Sequence, residues 1–105
     1  MSRKNRIAAL LHEKLSPIHS EILDESSRHH VPEGAETHFK VIAVSDQFES
    51  LTVLARHRLV NQILQNEFKT GMHALSIFTY TPIEWEKKHG SVPSSPVCRD
   101  GFDKI

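Results

Sequence analysis

Apolar residues recur at Ile7, Ala8, Leu11 and Leu15, while Arg3, Lys4, Arg6, Glu13 and Lys14 fill much of the rest of that stretch. The spacing puts the apolar set on one face of a helix running from Ser2 to about Leu15. Pro17 cannot continue it, and Ile18 to Asp24 then alternates imperfectly between apolar and polar positions, the pattern of a half-exposed edge strand. From Asp24 to Thr37, DESSRHHVPEGAET, neither period holds; Pro32 and Gly34 interrupt a polar stretch that predicts a loop of 14 residues. A connection this long inside a compact domain is a place to look for function.

His38 to Ser45, HFKVIAVS, is rich in β-branched and apolar residues and predicts a central strand, with Phe39, Val41 and Ala43 on one face and Lys40, Ile42 and Val44 on the other. After a polar turn at Asp46 to Ser50, Leu59, Val60, Ile63, Leu64 and Phe68 return to helical spacing and predict the second main helix, ending at Thr70-Gly71 with Gly71 as its cap. A third strand follows from Ala74 to Thr81, and His73 falls on the junction. Thr81-Pro82-Ile83-Glu84 then supplies an N-cap, a proline at the first helical position and a capping-box glutamate, opening a short helix through Trp85 to about Lys88. Tyr80 and Trp85 are read as anchors of that helix on the sheet. Beyond it, Gly90 to Ile105 is rich in Pro, Ser and Gly and is read as a mobile tail.

The predicted order is thus α-β-β-α-β-α. It specifies an α+β domain (α/β in the broad sense) with a three-stranded mixed sheet packed by helices on one face, over residues 1–89, with the tail at 90–105. A chain of 105 residues with 38% hydrophobic and 25% charged residues suits one self-folding domain. Thirteen Lys and Arg balance thirteen Asp and Glu, so the domain carries no global field for nucleic acid or anionic lipid. The single cysteine, Cys98, forms no internal disulfide, and no stretch has the apolar length of a signal peptide or membrane span, which places the chain by expectation in the cytoplasm and away from membranes.

Eight histidines are many for this length, among them His29, His30, His38, His57 and His73, and they invite a metal. Yet there is no His-Glu-x-x-His, paired CxxC or EF-hand pattern, so no complete cage is encoded. Nor is there a recognisable pairing of nucleophile and base, and the chain is expected not to be an enzyme.

Four segments carry a resemblance when taken together: DESSRHHVPEGAETHFKV at Asp24 to Val41, VSDQFES at Val44 to Ser50, RHRLV at Arg56 to Val60 and MHALSIFTYT at Met72 to Thr81. They closely resemble the BolA family, and the ending SSPVCRDG, Ser94 to Gly101, is similar to that of many of its members. The resemblance implies a fold related to the class II KH domain and a role beside monothiol glutaredoxins in iron–sulfur cluster handling and iron regulation, without catalysis. It further implies a bridging [2Fe-2S] cluster held by the glutaredoxin cysteine, glutathione and the histidine of the family's His-Ala-Leu motif, here His73. A second ligand from the long loop would be His29, with His30 and Cys98 as alternatives. No cofactor is expected in the free protein, which would be a monomer or weak homodimer.

An imidazole is a good borderline ligand for iron, and replacing thiolate by imidazole raises a cluster's potential. The resemblance also supports an alternative, a DNA-binding transcriptional regulator of morphology and stress response. Arg56 and Arg58 would be its basic pair, with Arg3, Lys4 and Arg6 as a second local concentration. Against it, no GXXG occurs in the sequence, the loop with which KH domains clamp a nucleic-acid backbone.

Overall fold

The computed structural model describes residues 2–25 and 37–88. Helix α1, Arg3–Leu15, starts where the Ser2 hydroxyl accepts the Asn5 N–H, and ends at Ser16, whose left-handed backbone (φ 45°) turns the chain. Strands β1 (His19–Asp24) and β2 (His38–Val44) pair antiparallel. The chain then passes through a 3₁₀ turn at Asp46–Phe48, helices α2 (Val53–Ile63) and α3 (Gln65–Lys69), strand β3 (Ala74–Tyr80) and helix α4 (Pro82–Lys87). Strand β3 pairs parallel with β2, so the sheet has the order β1-β2-β3, with β1 at an edge and β2 in the centre. The predicted mixed three-stranded sheet and helix order are found. The centre of the predicted loop, residues 26–36, and the predicted tail lie outside the described residues. No helix among the described residues is long and apolar enough to cross a membrane.

One sheet face carries the core. Ile22, Phe39, Val41 and Ala43 meet Ile7, Leu11 and Leu15 of α1, Val60 of α2 and Leu64 just after it, all buried. Phe48 joins them fully buried, although the sequence around it reads as a polar turn. On the second face, Trp85 of α4 stacks on His19 at 4.9 Å between ring centres and leans on Tyr80 at 5.4 Å. Those two residues flank Val44 in the register, and Val44 is fully buried. Trp85 and Tyr80 do anchor the last helix, and α4 reaches the sheet from the side opposite α1 and α2. The predicted capping box at Thr81 and Glu84 is present in full.

The second main helix differs from its prediction. It breaks at Leu64 into α2 and α3, and Phe68 is exposed. The buried stripe runs Arg56, Val60, Leu64, Glu67, which is helical spacing with a charged residue at each end. Both ends are satisfied by ion pairs, so the stripe stays on the core side where an apolar residue would be expected.

Ser45 fastens α1 to the sheet. Its hydroxyl donates to the Leu15 carbonyl at 2.8 Å and accepts the Gln47 N–H, while its own N–H donates to the Tyr80 carbonyl. Ser45→Ala leaves a buried carbonyl without its donor and is expected to cost about 1–2 kcal/mol in urea unfolding. An unchanged midpoint would show that the link carries no stability.

Candidate functional site

His73 sits between α3 and β3 on a turn held from several sides. Gly71 has φ 127°, which a side chain would resist, and a Cβ there would come within 3.2 Å of the Arg3 guanidinium. Met72 N–H donates to the Glu67 carbonyl at 2.9 Å. Arg3, reaching across from the start of α1, donates to Glu67 Oε1 at 2.7 Å, to the Glu67 carbonyl at 3.1 Å and to the Thr70 carbonyl at 3.0 Å. It thereby neutralises a buried acid and satisfies carbonyls at the end of α3. Arg6 adds bonds to both Glu67 carboxylate oxygens. The hydrogen bond from Arg6 is the foremost influence holding the Glu67 carboxyl below its ordinary pKa, and the contacts with Arg3 add to it against the opposing effect of burial.

From the other side, the Thr37 carbonyl accepts both the His73 N–H at 2.7 Å and the Ala74 N–H at 3.1 Å. Thr37 is also the residue at which the 26–36 segment rejoins the described chain. Its departing stem is fixed at the same end of the sheet, where Glu25 N–H donates to the His38 carbonyl at 2.8 Å. The His73 backbone is therefore anchored beside both stems of that segment while its imidazole remains exposed. The ring of His38 stands edge-on to that of His73, with centres 6.0 Å apart and planes at 89°.

His29 and His30, and likewise Cys98, lie outside the described residues. Among the described residues, no group of three or more His, Cys, Asp and Glu side chains converges as a metal cage would. Arg56 is turned inward, 6% exposed, where it pairs with Glu84 at 2.7 Å and donates to the carbonyls of Leu51 and Thr79. As a nucleic-acid contact it is therefore corrected to a structural residue, because reaching a phosphate would mean breaking those bonds. Arg58 stays exposed on α2. Of the other basic concentration, Arg3 is buried and Arg6 is engaged by Glu67. A groove of about 330 Å³ bordered by Arg56, Tyr80, Glu84 and Lys88 lies at the opposite end of β3, remote from His73.

A small α+β domain with a mixed three-stranded sheet and an exposed histidine at the start of its parallel edge strand defines the class. Residues 11–84 match the family model described as BolA-like protein. The chain belongs to the BolA family. It is 46% identical to a BolA-like protein of Dictyostelium discoideum, over 96% of this chain and 94% of that one. It is 44% identical to a protein of Escherichia coli named DNA-binding transcriptional regulator BolA, over 94% of each. Its structure resembles that of BolA1 from Mus musculus with a TM-score of 0.78 and 42% identity, covering 90% of this chain and 76% of that one.

Proposed function

We propose that this chain acts by binding rather than catalysis, joining a monothiol glutaredoxin and sharing with it a bridging [2Fe-2S] cluster in iron–sulfur cluster trafficking or iron regulation. His73 and the loop histidine His29 are the ligands on this side, and the glutaredoxin cysteine and glutathione supply the rest. The carrying observation is the fixed backbone and exposed ring of His73 beside both stems of the segment that contains His29. The donor set fits a shared group: one positioned imidazole, without a converging cage among the described residues, is too little to hold a cluster alone. When bound, the cluster supplies one-electron redox chemistry, with a potential that imidazole ligation raises. Glutathione as a ligand places the complex in a reducing compartment such as the cytosol.

The test is to mix the purified protein with a monothiol glutaredoxin, glutathione, iron and sulfide under anaerobic conditions. A visible absorption and circular dichroism spectrum distinct from that of the glutaredoxin alone is expected. A spectrum indifferent to this protein rejects the reading. His29→Ala, His30→Ala and Cys98→Ser then assign the second ligand.

The name of the Escherichia coli relative favours direct DNA binding as a second reading. With Arg56 internal, that reading rests on exposed residues such as Arg58 and Lys4. It requires affinity that falls steeply between about 50 and about 200 mM salt. It also requires Arg58→Ala to weaken binding to every sequence alike, as loss of a phosphate contact does. Binding indifferent to salt and to Arg58 rejects it.

A further inference from the structure

His38 begins β2 and His73 immediately precedes β3, at one end of the sheet. Their backbones are cross-linked: the Thr37 carbonyl, one residue before His38, holds the N–H groups of His73 and Ala74, and Ala74 is the register partner of His38. Their ring centres are 6.0 Å apart. Two imidazoles sharing one ion at bond lengths of about 2.0–2.1 Å have ring centres roughly 5–6 Å apart, a separation that these two rings match.

The Thr37 hydroxyl lies 2.9 Å from His38 Nδ1. In the tautomer where Nδ1–H donates to that hydroxyl, the lone pair is on Nε2. A ring held through its other nitrogen by a neighbouring oxygen is the arrangement characteristic of metal-ligating histidine.

From this geometry we propose that His38 and His73 form a two-imidazole site by which the free protein takes up a borderline divalent cation, represented by Zn²⁺. Imidazole nitrogen suits such ions better than it suits Mg²⁺ or Ca²⁺. Among the described residues no third His, Cys, Asp or Glu converges there, so the site proposed consists of the two imidazoles. The site does not depend on cluster sharing. It does use His73, so in a protein that does both, the ion and the partner's cluster exclude one another.

The experiment is calorimetric titration of the full chain, free of any affinity tag, with Zn²⁺. It compares wild type, His38→Ala, His73→Ala, the His38/His73 double variant and a His29→Ala/His30→Ala variant. Circular dichroism confirms that each is folded, and His38→Phe replaces His38→Ala should the latter fail to fold. Loss of either ligand is expected to weaken zinc binding about tenfold or more, the scale on which even supporting partners of a metal site act. The double variant should be little worse than either single one, and the loop variant within about twofold of wild type. Long-range ¹H–¹⁵N spectra should show zinc shifting the ring nitrogens of His38 and His73 together. The proposal is overturned if wild type takes up no more zinc than the double variant. It is equally overturned if the His29/His30 variant loses zinc while His38→Ala retains it, which would assign the second imidazole to the loop.

Discussion

Glu67→Ala is expected to destabilise the fold by about 3–5 kcal/mol in urea unfolding, the range for removing one partner of a buried ion pair. The Glu67 side chain is 5% exposed and that of Arg3 10%, so removing the carboxylate breaks an ion pair shielded from water on both sides. The Arg6 side chain is 41% exposed and can turn to solvent once the carboxylate is gone, so it adds less to the cost of the substitution. The carboxyl also ties acid sensitivity to this point. Its folded pKa lies below the ordinary 4.5, so its stabilisation is fully present above that value and is lost as pH falls below it, through the lowered folded value. Glu84, lowered first by its hydrogen bond from Arg56 and then by the Thr81 N–H, acts in the same direction. Wild type should therefore lose thermal stability below about pH 4.5, and Glu67→Gln should flatten part of that decline. A Glu67→Ala protein as stable as wild type would remove the clamp from the account of the His73 turn.

His73→Ala is expected to abolish the spectrum of the mixed glutaredoxin complex while leaving the fold within about 0.5 kcal/mol of wild type, as exposed substitutions usually do. The separation follows from the division of labour at the turn. The backbone of residue 73 is bonded to Thr37, whereas its exposed imidazole contributes little packing. Retention of the mixed spectrum, with urea unfolding showing the variant intact, would contradict ligation by His73. Loss of both spectrum and fold would contradict its assignment as an exposed ligand with little structural weight.

The sheet and helix order were legible because the apolar periods of α1, β2 and β3 are clean and the stop signals at Pro17, Gly71 and Thr81-Pro82 are chemically explicit. The break at Leu64 and the exposure of Phe68 were not. A search for apolar repeats passes over Arg56 and Glu67, which occupy core-side positions by pairing with Glu84 and with Arg3 and Arg6. Spacing of i, i+4, i+8, i+11 through Arg56, Val60, Leu64 and Glu67 was the available signal, readable once charged residues are admitted to the stripe. Phe48 was hidden for a similar reason: its neighbours are polar, and only the 3₁₀ turn after β2 directs it inward. His73 stood out through the family motif. The nearness of His38 depended on the parallel pairing of β2 with β3, which brings together residues 35 positions apart in a register that no local pattern encodes.

The bonds from Arg3 to Glu67 and Thr70 join residues 64 and 67 positions apart, so they form only after most of the chain has been brought into a single closed loop. Such closures carry the largest entropic cost and belong late in folding, after the helices and the β1–β2 hairpin have formed from shorter-range contacts. The ring of His73 thus gains a fixed address at the end of the folding sequence rather than at its start. A chain still emerging from synthesis has the histidine but not its setting, and ligands that require the assembled turn can engage only the finished fold.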